Sequence, residues 1–196
     1  MKIGVLALQG AFAEHGKMAA RLGAQAVELR QKRDLDQPLD GVILPGGEST
    51  VMGKLLRDLG MFGPLRELLA GGLPAFGTCA GLLLLAKQVD GGAPQLALMD
   101  IEARRNAYGR QLGSFAARAD FDGIGEIPTV FIRAPYIARL WGGARALAAV
   151  DGKTVAARQG NLLVTAFHPE LTDDLAVHRY FLDMVRQAAA TGRRAV

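Results

Sequence analysis

The chain carries one cysteine among 196 residues. An internal disulfide framework is therefore excluded, and the usage suits a reducing compartment. Long apolar runs are also missing. The N-terminal run Met1–Leu8 ends at Gln9-Gly10, too short for a membrane span or a signal peptide. Neither a G-x-G-x-x-G fingerprint nor a P-loop is present. Charge of one sign is not in large excess: 23 Lys and Arg against 19 Asp and Glu leave +4. Arg104-Arg105, Arg110 and Arg193-Arg194 are basic, but no aromatic-interleaved basic stripe accompanies them. A solvated surface is the better account than nucleic-acid binding. With no repeat, low-complexity tract or linker, the expectation is one cytoplasmic domain over 1–196, binding neither nucleic acid nor membrane.

What is present reads as a globular α/β protein. Half of the residues are hydrophobic and 21% are charged, enough for one full-sized core. Strand-like runs at 2–8, 26–29 and 41–44 alternate with helical spacing at 11–22 and about 49–59, with Ser49 or Thr50 as the cap. A further helix is expected over 65–70. The pattern predicts a doubly wound, mostly parallel sheet. After Gly91-Gly92 the texture changes. Short strand-like runs at 99–103, 113–119, 129–132, 146–150, 154–158 and 162–167 suggest added antiparallel strands. An amphipathic helix at 173–190, with Val177, Phe181 and Val185 on one face, closes the chain.

The segment Phe76-Gly77-Thr78-Cys79-Ala80-Gly81 stands between an apolar run and a helix-forming run, Leu82–Lys87. It has the form of a nucleophile elbow with cysteine in the serine position. The glycines allow close backbone approach at a strained corner. The following helix aims its N-terminus at the sulfur, favouring thiolate. A lone cysteine can equally be a small buried hydrophobe.

A thiolate nucleophile needs a base, and the base an orienting group. His15 and His178 lie in helices and read as surface or packing residues. His168 follows a strand and opens His168-Pro169-Glu170. Alternation along an extended segment would put His168 and Glu170 on one side, stiffened by the proline. Strand ends gather along one rim of a doubly wound sheet, which brings Cys79 and His168 within range. Pro45-Gly46-Gly47-Glu48-Ser49-Thr50 also lies just past a strand end. Its glycines free an N–H that, with the N–H of Ala80, could hold an oxyanion.

Together G-T-C-A-G, P-G-G-E-S-T and the late H-P-E resemble the class I glutamine amidotransferases, a flavodoxin-like three-layer fold. Leu8-Gln9-Gly10 with Glu14-His15, Arg105–Gln111, Phe131–Pro135 and Phe167–Thr172 are similar to the glutaminase subunit family of pyridoxal 5′-phosphate synthases. The resemblance spans the first strand to the last helix. It implies a Cys79, His168, Glu170 triad that hydrolyses L-glutamine through a glutamyl thioester, with Gly47 and Ala80 as the oxyanion hole. It implies a glutamine pocket from Gly46, Gly47, Glu48, Arg105, Ile132 and Arg133, with an arginine for the α-carboxylate and Glu48 for the α-ammonium. It implies no metal and no cofactor. It implies a separate partner, the synthase subunit, contacted near Gln9, Gly10, Glu14 and His15. The glutaminase of imidazole glycerol phosphate synthase shares the triad, and a non-catalytic binding module shares the fold. The Arg105–Gln111 and H-P-E-L-T segments favour the vitamin B6 family.

Overall fold

The computed structural model describes residues 1–105 and 113–192. In chain order it has β1 (Lys2–Leu6), α1 (Phe12–Arg21), β2 (Gln25–Leu29), β3 (Gly41–Leu44), α2 (Ser49–Asp58), α3 (Phe62–Ala70), β4 (Ala75–Thr78) and α4 (Ala80–Leu85). Next come β5 (Ala86–Asp90), β6 (Met99–Arg104), β7 (Ser114–Phe121), β8 (Gly125–Ile132) and β9 (Tyr136–Leu140). The remainder is β10 (Arg145–Val150), β11 (Lys153–Gln159), β12 (Leu162–Thr165) and α5 (Ala176–Ala190). Short 3₁₀ turns cover Lys32–Leu35 and Pro169–Leu171.

The main sheet runs in the order β2-β1-β3-β4-β12-β11-β9-β6-β5, with β10 paired to β11. Pairing is parallel from β2 through β12, and again between β5 and β6. The ladders of β11 with β12, β9 and β10, and of β6 with β9, are antiparallel. β7 and β8 form a separate antiparallel hairpin. This is the doubly wound, mostly parallel α/β fold with antiparallel additions expected from the sequence. The central strands β3, β4 and β12 are buried at every position, as strands covered on both faces must be. Val177, Phe181 and Val185 of α5 all lie in the core.

Three local expectations change. The run Leu82–Lys87 does not stay helical. The helix is Ala80–Leu85, and Ala86–Asp90 pairs with β6 instead. The ladder satisfies backbone groups at the sheet edge, which outweighs helix preference. Tyr136–Leu140 becomes a strand because it bridges β6 and β11, a long-range role with no strong local signature. The cap of α2 is Glu48, not Ser49 or Thr50: its carboxylate accepts from the Thr50 N–H (3.1 Å) and the Val51 N–H (2.7 Å). That leaves Ser49 free to turn inward, where it is buried.

Because β1, β3, β4 and β12 are mutually parallel, their C-terminal ends share one edge. Gln9-Gly10, Pro45–Glu48, Cys79 and His168 follow those four ends. The register Thr165↔Thr78 places the last residues of β12 and β4 side by side. The Cys79 N–H donates to the Thr165 carbonyl at 2.8 Å, locking the two ends together.

Candidate active site

Cys79 sits between β4 and α4 with φ 49° and ψ −98°, a conformation that L-residues avoid unless the surroundings impose it. The flanking glycines are required by contact. A Cβ on Gly77 would lie 2.6 Å from the Gly81 carbonyl carbon, and one on Gly81 would overlap the Leu44 carbonyl oxygen. The elbow is thus pressed against its own helix and against the end of β3.

His168 and Glu170 form the second part. The His168 N–H donates to the Val130 carbonyl at 2.8 Å, which ties this turn to β8. His168 Nδ1 and Glu170 Oε1 are 2.8 Å apart. Their meeting does not come from extended alternation. Pro169–Leu171 winds into a 3₁₀ turn, with the Leu171 N–H donating to the His168 carbonyl. The carboxylate folds back beneath the ring. Burial would lower the His168 pKa, but hydrogen bonds to Cys79 and Glu170 and the charges of both raise it to about 10. The imidazole therefore holds its proton at neutral pH, between a sulfur on one side and a carboxylate on the other.

Cys79 and His168 face a cavity of about 550 Å³, within the usual range for small-ligand sites. Gly47, Glu48, Cys79, Ala80, Arg105, Ile132, Arg133 and His168 all line it. Gly46 does not line it. It is buried behind, where an added Cβ would strike His168 Cε1. Gln9 and Gly10, assigned by resemblance to the partner surface, line the cavity as well. Gln9 Oε1 accepts from the Glu48 N–H at 2.8 Å, and a Cβ on Gly10 would overlap the Gly46 carbonyl oxygen. The Gln9-Gly10 loop therefore braces the Gly46–Glu48 turn. Glu14 is half-buried on α1 and lies outside the cavity lining.

Arg105 Nη2 donates to Ser49 Oγ at 3.0 Å and to Thr50 Oγ1 at 3.4 Å, while its Nε is buried with no hydrogen-bond partner among the described residues. Burial pushes the Glu48 carboxyl up, but the Val51 and Thr50 N–H groups and nearby Arg105 pull it below its ordinary value overall. The cavity thus presents an anion beside two cationic side chains, a pattern suited to a zwitterion. Asn106–Gln111, the rest of the family-like segment, lies outside the described residues. Leu83, Pro135 and Ser49 also line the cavity; Ser49 and Pro135 fell within motifs singled out in the sequence, and Leu83 carried no such signal.

His15, read as a surface or packing residue and placed by resemblance near the partner contact, is a packing residue: it is completely buried and presents no exposed side chain to a partner. His178 is buried with it. Their rings are joined through His15 Nδ1 and His178 Nε2 at 2.9 Å. Sequence reading missed this because α1 and α5 lie 163 positions apart at the contact. Burial lowers the His178 pKa to about 4. Burial first, then the charges of His178 and His168, holds His15 well below its ordinary value.

These shifts predict an acid-sensitive fold. Above about pH 6.5, His178 is neutral whether folded or unfolded. Between there and about pH 4 the unfolded chain takes up a proton that the folded chain refuses, so stability falls with acidification. Across that window His178 alone contributes a loss of roughly 3 kcal/mol. His168 acts oppositely: raised to about 10, it supports folding fully below about 6.5, and that support fades as pH rises through 10. Thermal melts of wild type should drop between about pH 7 and pH 5, and His178→Leu should flatten that drop. A wild-type melting temperature unchanged across the window would contradict two neutral buried histidines.

A family model for the SNO glutamine amidotransferases matches residues 5–187, nearly the whole chain. The chain belongs to the SNO glutamine amidotransferase family. Family membership agrees with the elbow, the buried His168–Glu170 pair and the cavity. Among curated relatives, the pyridoxal 5′-phosphate synthase subunit PdxT of Methanocorpusculum labreanum is 60% identical over 185 residues, 94% of this chain and 98% of that protein. The subunit of the same name from Streptococcus pneumoniae is 54% identical over 191 residues, covering 95% and 99%. The crystal structure of a glutamine amidotransferase superposes with a TM-score of 0.89 at 44% identity, covering 94% of this chain and 98% of that one. A glutamine amidotransferase from Thermotoga maritima shares the fold at 14% identity and TM-score 0.63, covering 98% of this chain and 85% of that one. No helix among the described residues is long and apolar enough to cross a membrane. No group of three or more His, Cys, Asp or Glu side chains among them is placed to hold a metal ion.

Proposed function

We propose that this SNO-family glutamine amidotransferase is the glutaminase subunit of a pyridoxal 5′-phosphate synthase, working as one domain that hydrolyses L-glutamine. The observation that carries the reading is His168, held at Nδ1 by Glu170 at 2.8 Å, at the wall of a cavity that also presents Cys79, Glu48, Arg105 and Arg133.

In this mechanism the Cys79 sulfur attacks the side-chain amide carbon of glutamine. The electron pair moves onto the carbonyl oxygen, where the Gly47 and Ala80 N–H groups stabilise it, an effect commonly worth several kcal/mol. As the tetrahedral species collapses, His168 gives its proton to the nitrogen and ammonia leaves. Glu170 keeps the imidazole aimed and favours its charged form. Water, deprotonated by His168, then cleaves the glutamyl thioester and returns the sulfur. Arg105 or Arg133 takes the α-carboxylate, and Glu48 shares its carboxylate between its two backbone donors and the α-ammonium.

Ammonia in neutral bulk water is protonated and loses its nucleophilicity, so its consumer must be close. The names of the relatives support a synthase subunit in that role. The exposed Gly10, with Gln9 and Glu14 beside it, is the proposed docking edge. Docking there would act on the oxyanion turn directly, because Gln9-Gly10 braces Gly46–Glu48. The glycines allow the peptide to reorient at low cost.

The test is glutamate release from L-glutamine by the purified chain, with and without the cognate synthase, alongside labelling of Cys79 by an electrophilic glutamine analogue. Release that rises on adding synthase is expected. No release and no labelling with synthase present would count against the function, and full activity of the isolated chain would remove the docking effect alone.

A further inference from the structure

Glu170 has a second oxygen that the triad does not use. Its side chain is fully buried. Oε1 serves His168, but Oε2 makes no hydrogen bond of full geometry. A buried carboxylate oxygen left without a donor is expensive. The group beside it is His15, whose Nε2 hydrogen-bonds Thr78 Oγ1 at 3.2 Å and lies 3.3 Å from Oε2, an electrostatic contact outside hydrogen-bond geometry.

The tautomer follows from donor and acceptor rules. An ionised carboxylate only accepts, so a lone pair on His15 Nε2 facing Oε2 would be repulsive. With the proton on Nε2, His15 Nδ1 is an acceptor and His178 Nε2–H donates to it across 2.9 Å. His178 Nδ1 is then a bare acceptor, and it is indeed buried without a partner. The opposite arrangement would strand a buried N–H donor there, the costlier defect. Both rings are also clamped edge-on by Phe76, at 5.9 Å from His15 and 5.7 Å from His178.

We propose that His15 is a positioning residue that extends the triad inward, its Nε2–H, anchored on Thr78 Oγ1 and 3.3 Å from Oε2, favouring electrostatically the charged and aimed Glu170, and that His178 fixes the His15 tautomer. The inference rests on Cys79, His168 and Glu170 being the reacting relay. Neither inner histidine lines the cavity, so each acts only through Glu170. The titratable groups around the relay are Cys79 at the start of α4, His168 and Glu170 after β12, His15 on α1 and His178 on α5. Glu48, Arg105 and Arg133 face it across the cavity.

The decisive readout needs no glutamine. Cys79 is the sole cysteine, so iodoacetamide alkylation of the full chain as a function of pH reports directly on its pairing with His168. Leucine at 15 removes the donor and keeps an apolar fill, whereas glutamine keeps an amide N–H donor at that position. His15→Leu should move the acid limb of alkylation upward by about one pH unit, the tenfold expected from losing a close polar contact to a buried charge. His15→Gln should keep the wild-type limb. With glutamine and synthase, His15→Leu should lower kcat about tenfold at unchanged KM. A folded His15→Leu with a wild-type limb overturns the proposal, as does His15→Gln shifted as far as His15→Leu. If His15→Leu lacks a folded state by circular dichroism, His178→Leu decides: a limb moved the same way supports the relay, and an unmoved one overturns it. Failure of the glutaminase reading would show instead as wild-type protein that releases no glutamate, whatever the alkylation profile.

Discussion

Cys79→Ala is expected to leave the fold intact and reduce synthase-supported glutamate release by on the order of 10⁶-fold, with His168→Asn equally inactive. The two losses should match because the groups act as one unit. The sulfur is the nucleophile that the elbow positions, and His168 lines the same cavity while its Nδ1 contacts a buried carboxylate at 2.8 Å. Removing either ends thioester formation. Alanine at 79 replaces a nearly buried side chain with a smaller one, so melting should change little. Asparagine at 168 keeps a polar group near Glu170 but cannot carry a proton from sulfur to nitrogen. Glu170→Ala should lose less, about 10⁴-fold, because an unassisted imidazole still samples a useful orientation. Single-turnover thioester trapping separates these cases: none in the first two variants, slow accumulation in the third. Equal loss in Glu170→Ala and Cys79→Ala would mean that the carboxylate does more than orient.

The second large effect is structural. Gly81→Ala should destabilise the chain by about 3 kcal/mol and disable the site at the same time. A Cβ at 81 would overlap the Leu44 carbonyl oxygen, which is backbone and cannot rotate away. Either β3 or the first turn of α4 must move. Both border the reacting groups, since Pro45–Glu48 leaves β3 and Cys79 enters α4. A control is available in the same protein. Gly63, on α3, has open space around the position of a Cβ, so Gly63→Ala should be neutral or gain up to about 1 kcal/mol from helix preference. Chemical denaturation of both variants, with Cys79 alkylation as the local readout, checks the pair. Equal stability of the two would show that the elbow tolerates the displacement.

Gly81 and Gly63 also illustrate what a sequence can reveal. Both are glycines at helix starts, and only the G-x-C-x-G spacing marked the first as indispensable. The elbow was legible because its demands are local: a strained cysteine and small neighbours within two residues. His168 and Glu170 were legible for a similar reason, being two residues apart. The manner of their meeting was not, since a 3₁₀ turn rather than strand alternation folds the carboxylate back. Glu48 was readable as a pocket residue but not as the cap of α2, because choosing among three adjacent capping candidates depends on where Arg105 draws Ser49.

The chain's own order of residues determined the alternating strands and helices, the elbow, the closeness of His168 to Glu170 and the glycine-rich turn after β3, all of them set by short-range sterics and hydrogen bonding. Only the tertiary structure decided that Gln9-Gly10 braces that turn and that His15 and His178 stand behind Glu170. Those contacts join segments far apart along the chain. They form when packing of α1 and α5 against the sheet excludes water and obliges each buried polar atom to find a partner.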